Sequence, residues 1–144
     1  MSVDIEMFEL FKQELQLCKV SKGEVVAVLS GGNDHPEFAQ TFMLAAQSLG
    51  ATTYHLNVPK YGQLKLAGVQ GRHALSGNQP AIDALKRADM VIDLLGLLFS
   101  AEQTQIQAAG ARILRVMEPL HVLKQMFPTE DLRRRVELSR TLLS

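Results

Sequence analysis

The sequence predicts a three-layer α/β protein, in which a four-stranded parallel sheet carries helices on both faces. Short runs rich in β-branched residues alternate with helical segments in the order αβαβαβαβα. Residues 88–119 have the pattern of a strand, a helix and a second strand, which makes a right-handed crossover between parallel strands. The central strands are apolar throughout, as strands covered on both faces are. The natural strand order is 2-1-3-4.

The segment that defines this class begins with the short apolar run 89–95, which is too brief for a helix. The next residues have the form of a capping box, in which the Ser100 hydroxyl accepts from the Gln103 amide and the Gln103 side chain returns to the Ser100 amide. Gly110 is expected to end the helix with a positive φ. Residues 111–117 form the next strand.

The other elements follow from apolar periodicity and turn residues. They are a helix over 3–19, a buried strand over 24–29, a loop over 30–35, a helix from Pro36 to Leu49, a strand over 51–58, a helix from Asn78 or Gln79 through Arg87, a helical segment over 120–126 and a helix capped by Thr129. Cys18 lies on the apolar stripe of the first helix, so we expect it in the core. Residues 59–78 lack a clear period and predict a functional or partner-facing excursion.

The composition limits the class of protein. A chain of 144 residues is expected to form one domain. Fifteen Lys and Arg balance fifteen Asp and Glu, which argues against a nucleic-acid partner. The single cysteine fits a reducing compartment, the acidic N-terminus is unlike a secretory signal, and no apolar run approaches the ~18 residues of a membrane span. We therefore expect a cytoplasmic protein without a membrane partner.

The predicted strand order locates a ligand site. The order reverses between the strand of 24–29 and the strand of 89–95, and parallel sheets bind ligands at the carboxyl edge beside such a point. The side chains expected at this edge are Ser30, Asn33, His35, Phe99 and Glu118. At the end of its strand, Glu118 offers a general base or a ligand-orienting group, and Glu-Pro is also an ordinary strand terminator.

The loop Ser-Gly-Gly-Asn-Asp at residues 30–34 suggests one alternative. It resembles the pyrophosphate loop of the ATP pyrophosphatase superfamily, in which glycines let backbone amides approach phosphates. In this sequence His35 takes the place of the usual closing Ser or Thr. An ATP-binding domain is therefore one hypothesis, and a turn that needs flexible residues is the other.

The histidines do not form a metal motif. His35, His55, His73 and His121 lack the spacing of HExxH or HxH, and a single cysteine cannot form CxxC. We predict no metal site made wholly from this chain, no bound cofactor and no complete catalytic set.

A resemblance to a known family extends over the whole length. The matching segments are 88–93, 97–103, 110–119 and 128–136, with looser likeness over 26–29, in the Pro36 helix and over 81–88. They resemble the N-terminal domain of 2,5-dihydroxypyridine 5,6-dioxygenases, mononuclear-iron enzymes that share a fold with aminopeptidase T-type leucyl aminopeptidases. The resemblance implies a Rossmann-like domain and homo-oligomers. It also implies a divalent metal, iron or zinc, held in a C-terminal domain by histidines, a serine and an aspartate.

Two features depart from that family. The sequence ends inside a predicted helix, so we expect residues 1–144 to be one domain of a longer two-domain chain, inert when isolated. Where the dioxygenases carry a histidine between the Leu-Leu pair and the capping-box serine, this chain has Phe99, which cannot transfer a proton. The hypotheses are therefore a ring-opening dioxygenase, a peptidase-like hydrolase, and a non-catalytic oligomerisation domain.

The domain edge is also expected to expose apolar side chains and favour self-association. The expected patch consists of Leu64, Leu66, Val69, Leu97, Leu98 and Phe99.

Overall fold

The computed structural model describes residues 4–32, 35–58, 75, 77–97 and 100–126. Helices and strands alternate along this part of the chain, as the sequence predicts. They are α1 (Ile5–Leu17), β1 (Val25–Gly31), α2 (Pro36–Ser48), β2 (Thr52–Val58), α3 (Gln79–Leu85), β3 (Met90–Asp93), α4 (Ala101–Ala108), β4 (Arg112–Arg115) and α5 (Leu120–Met126). None of these helices is long and apolar enough to cross a membrane.

The four strands form one parallel sheet in the order β2-β1-β3-β4. Both the class and the strand order predicted from the sequence are therefore confirmed. β1 pairs with β2 along its whole length, from Val25 opposite Thr52 to Gly31 opposite Val58. Its pairing with β3 ends earlier, at Leu29 opposite Asp93. The carboxyl end of β1 therefore projects beyond β3 with β2 as its partner strand.

Alternate residues of the sheet enter two separate cores. Val26 and Val28 face α1 and α2, where the rings of Phe11 and Phe42 stack at 3.9 Å between centroids. Ala27 and Leu29 face α3 and α4 on the other side. This division explains why β1 and β3 are apolar at every central position: both of their faces are covered.

Charged side chains connect the strands at the amino edge of the sheet. The Asp89 carboxylate accepts the Val25 amide at 2.7 Å, just before β3. The Arg112 guanidinium donates to both carboxylate oxygens of Glu24, at 2.8 and 2.9 Å, from β4 to the start of β1. Paired donors and acceptors of this kind are specific in geometry, so the pair helps to hold three strands in register.

Two local predictions need correction, and two others lie outside the described residues. β1 continues through Ser30 and Gly31, which the sequence places in a loop, because β2 supplies pairing partners there. The Ser100 hydroxyl accepts the Gln103 amide at 3.1 Å as predicted. The Ser100 amide, however, donates to the carbonyl of Leu97 and not to the Gln103 side chain. The predicted helix at Thr129 and most of the 59–78 excursion lie outside the described residues.

Candidate functional site

A polar cluster lies at the carboxyl end of β1 and β2. Ser30 is opposite Asn57 in the parallel register, and His55 lies two residues earlier on the same face of β2. The Ser30 hydroxyl is 2.6 Å from Nε2 of His55 and accepts Nδ2 of Asn57 at 2.9 Å. The Asn57 amide also donates to the carbonyl of Gly32 at 2.7 Å. We call these three side chains the Ser30–His55–Asn57 cluster.

The members of this cluster differ in their access to solvent. Ser30 is 1% exposed, whereas His55 and Asn57 lie exposed on the edge strand. Desolvation lowers the pKa of His55 below its ordinary value, so the imidazole is neutral at pH 7. A serine beside a neutral imidazole can act as a nucleophile only where substrate reaches the hydroxyl. The burial of Ser30 favours a positioning role.

His35 begins α2 without making a side-chain cap bond. Its φ of 49° is left-handed, which is uncommon for a residue with a Cβ atom. The ring stacks on Phe38 at 4.9 Å between centroids, and Nδ1 lies 3.6 Å from a Glu37 carboxylate oxygen. The structure therefore gives His35 a packing role at the start of the helix, apart from the Ser30–His55–Asn57 cluster.

The geometry of Gly32 bears on the nucleotide hypothesis. Its amide donates to the carbonyl of Val58 at 3.0 Å, which continues the pairing of β1 with β2. Gly31 lies within β1. A phosphate-binding loop needs amides that point at the ligand, and the Gly32 amide is engaged by β2. Asn33 and Asp34, the next two residues of this loop, lie outside the described residues.

A buried aspartate organises the turn after β3. Asp93 is 1% exposed, and its carboxylate accepts the amides of Leu95 at 3.0 Å, Gly96 at 2.8 Å and Leu97 at 2.8 Å. Gly96 has a φ of 94°, which suits glycine in such a turn. An aspartate carboxylate that accepts hydrogen bonds from successive backbone amides stabilises a turn where strand pairing ends. Asp93 therefore fixes the backbone of residues 95–97, which precede Phe99 in the chain.

The Asp93 turn also corrects the predicted apolar patch. Leu97 is 0% exposed and packs in the core beneath α3 and α4, because the turn directs it inward. It therefore adds nothing to an exposed edge. Leu64, Leu66, Val69, Leu98 and Phe99 lie outside the described residues.

The sequence-predicted site residues do not all meet. Ser30 makes its described side-chain hydrogen bonds to β2, and none of these reaches His35 or Glu118. Glu118 is exposed three residues beyond the end of β4. Asn33 and Phe99 lie outside the described residues.

Three contributors, His55, Asn57 and Asp93, were missed by the sequence analysis. His55 and Asn57 alternate on a strand whose partner carries Ser30 near its carboxyl end, and that alternation is the signal that would have found them. For Asp93, the signal is an aspartate three residues before a glycine at the end of an apolar run.

A metal centre needs several ligand side chains close together. Over the described ranges, no three His, Cys, Asp or Glu side chains lie close enough to hold a metal ion. The described residues therefore offer no converging ligand set, whereas the resemblance implies a metal held in a C-terminal domain.

Together the sheet and its edges define a doubly wound α/β domain with a polar site at the carboxyl ends of its first two strands. Comparison with known proteins identifies the family within this class of domain. The sequence profile of the 2,5-dihydroxypyridine 5,6-dioxygenase family matches residues 6–144, and the chain belongs to that family. The aminopeptidase T-type likeness stays a prediction.

Two comparisons with proteins of Pseudomonas putida KT2440 agree. A 2,5-dihydroxypyridine 5,6-dioxygenase of that organism is 39% identical over 143 residues, which cover 96% of this chain and 41% of the relative. A solved structure of the 2,5-dihydroxypyridine dioxygenase from the same strain superposes with a TM-score of 0.81 at 38% identity, covering 99% of this chain and 43% of that one. The chain thus spans about two fifths of the length of these relatives.

Proposed function

We propose that residues 1–144 are one α/β domain of an enzyme that opens a dihydroxypyridine ring with dioxygen. The observation that carries this proposal is the family match over residues 6–144, together with a solved dioxygenase that shares the fold across 99% of this chain. The polar carboxyl edge supports it, because ligands of doubly wound sheets bind at that edge. The Ser30–His55–Asn57 cluster and the Asp93 turn supply hydrogen-bonding groups at this edge.

The metal of this enzyme would be held elsewhere. The described residues bring no ligand set for a metal together. We propose that iron is bound by a second domain, and that this domain and a second copy of the protein are the partners of the chain. The metal would supply activation of dioxygen, and the present domain would bind and orient the ring.

Phe99 favours a second candidate function. Its benzene ring cannot take part in proton transfer, although the resembled dioxygenases carry a histidine there. A metal-dependent hydrolase related to aminopeptidases is therefore the second candidate. The two candidates differ in their co-reactant, because a dioxygenase consumes dioxygen and a hydrolase consumes water.

Expression of the complete coding sequence tests both candidates. The purified product, loaded with Fe²⁺ or Zn²⁺, is assayed with 2,5-dihydroxypyridine for loss of substrate absorbance and for dioxygen uptake. A leucine anilide measures amide hydrolysis in parallel. Coupled loss of pyridine and dioxygen supports the dioxygenase. Anilide hydrolysis without dioxygen uptake would replace it with the hydrolase.

A further inference from the structure

The hydrogens of the Ser30–His55–Asn57 cluster can be placed by counting donors. The amide nitrogen of Asn57 carries two hydrogens, and its two hydrogen bonds run to the Ser30 hydroxyl and the Gly32 carbonyl. The Ser30 oxygen therefore accepts from Asn57, and its own hydrogen remains for Nε2 of His55 at 2.6 Å. In this arrangement Nε2 is the acceptor.

The opposite tautomer leaves a donor unsatisfied. If Nε2 carried the hydrogen, Ser30 would accept two bonds, and its own hydrogen would have no acceptor among the described side chains around it. Ser30 is 1% exposed, and a buried donor without a partner is destabilising by about 1–3 kcal/mol. The lowered pKa of His55 is consistent with a neutral ring. The hydrogen of the neutral imidazole therefore lies on Nδ1.

The other ring nitrogen is available to a ligand. His55 lies on the edge strand β2 and is exposed, and Nδ1 has no protein acceptor in the described part of the chain. It lies opposite Val28 in the register, two residues before Asn57 on the same face of β2. A hydroxyl that fixes the tautomer and orientation of an imidazole also fixes the direction of its remaining N–H.

We infer that Ser30 and Asn57 hold His55 as a fixed Nδ1–H donor for an oxygen atom of a bound ligand at the carboxyl edge of β1 and β2. This inference rests on the proposed function for the ligand's identity: 2,5-dihydroxypyridine carries oxygen on two ring carbons, and either oxygen can accept this hydrogen. His55 then binds and orients the ring, and Ser30 and Asn57 are positioning residues that act through it.

Nitrogen NMR of the histidine rings tests the arrangement without any turnover. In the chain with ¹⁵N-labelled histidine at neutral pH, His55 should show a protonated Nδ1 and an unprotonated Nε2. Ser30→Ala should shift His55 toward the other tautomer and leave the exposed His121 of α5 unchanged. A protonated Nε2 in the unmodified chain, or a His55 signature insensitive to Ser30→Ala in a folded variant, would overturn the inference.

Ligand binding tests the donor itself in the product of the complete coding sequence. His55→Gln should raise the KM or Kd for 2,5-dihydroxypyridine about tenfold, the effect of one lost hydrogen bond, with a smaller change in kcat. Ser30→Ala should raise the same KM or Kd by a smaller factor. His121→Gln should leave it within about twofold of the unmodified value. Unsubstituted pyridine, which lacks ring oxygen, should show no dependence on His55.

The two proposals fail in different ways. Absence of dioxygen uptake would reject the proposed function, whereas the Kd for 2,5-dihydroxypyridine would still test the donor. Ring opening with KM and Kd unchanged by His55→Gln would reject the donor and leave the dioxygenase standing. Equal effects of His55→Gln and His121→Gln would also reject it, because a general effect of losing an exposed histidine would then suffice.

Discussion

The two edges of the sheet use polar side chains in opposite ways. At the amino edge, opposite charges meet inside the protein: Glu24 and Arg112 are bonded twice, with side chains only 21% and 13% exposed. At the carboxyl edge, the Ser30–His55–Asn57 cluster is uncharged, and its imidazole faces solvent with one nitrogen bonded to serine. The first arrangement pairs its charges within the protein and stabilises the strand register. The second leaves a directed donor, as a binding site requires.

Asp93 combines both properties and gives the largest expected effect. It lies at the carboxyl edge, yet its carboxylate accepts hydrogen bonds from three backbone amides of its own turn. Asp93→Asn should lower the free energy of unfolding by roughly 2–4 kcal/mol, because bonds to a charged acceptor are the strong ones and a buried NH₂ would replace one oxygen. Urea unfolding measures this, with Asp83→Asn on the exposed face of α3 as the matched control. Equal stability of the two variants would show that the Asp93 turn is not a stabilising element.

Glu14 is a buried carboxyl that belongs to neither edge of the sheet, and among the described residues its hydrogen bonds do not satisfy both of its oxygens. It is 0% exposed on α1, accepts the Cys18 thiol at 3.7 Å through one oxygen, and its other oxygen has no partner among the described atoms. Burial raises the pKa of Glu14 to about 7.

The raised pKa sets the sign of the pH dependence. The folded state favours the protonated carboxyl, so the stability it contributes is complete below the ordinary pKa of 4.5 and is lost as pH rises toward about 7. Between about pH 5 and about pH 8 the protein should lose roughly 1–3 kcal/mol of stability through this group. Glu14→Gln should flatten that part of the profile, whereas Glu9→Gln on the exposed face of α1 should retain it. Identical profiles for the two variants would contradict the assignment.

The amino edge makes a smaller prediction. A double-mutant cycle of Glu24→Gln and Arg112→Met should give a coupling of about 1–2 kcal/mol in chemical unfolding, since the pair is largely shielded and bonded twice. The comparison pair is Glu6 and Lys124, which join α1 to α5 at 2.8 Å but lie 71% and 41% exposed. Its coupling should be indistinguishable from zero, because exposed pairs are screened by solvent. Equal coupling energies for the two pairs would show that partial burial does not strengthen the Glu24–Arg112 pair.

The sequence predicted the fold because its signals are local. Each buried strand is a run of β-branched residues, and Gly110 and Pro36 mark helix boundaries by their own backbone preferences. The candidate site was predicted less well because it depends on register. Ser30 belongs to β1 only because β2 continues beside it, and His55 is part of a site only because Ser30 lies across from Asn57. No single segment carries that information.

Phe99 gives the smallest expected effect on stability and the sharpest test of the carboxyl edge as a functional surface. In the sequence it lies between the Asp93 turn, which reaches Leu97, and the Ser100 cap. Phe99→His should change the free energy of unfolding by no more than about 0.5 kcal/mol, as surface substitutions do. In the product of the complete coding sequence it should raise turnover of 2,5-dihydroxypyridine, since a positioned acid–base group contributes about 10²–10⁴-fold.

Phe99→Leu, which removes the ring without adding a titratable nitrogen, is the control and should give no gain. Thermal melts and dioxygen uptake decide the matter together. If Phe99→His instead lowers stability by roughly 1–3 kcal/mol without a gain in turnover, the imidazole is buried without a partner, and Phe99 belongs to the core.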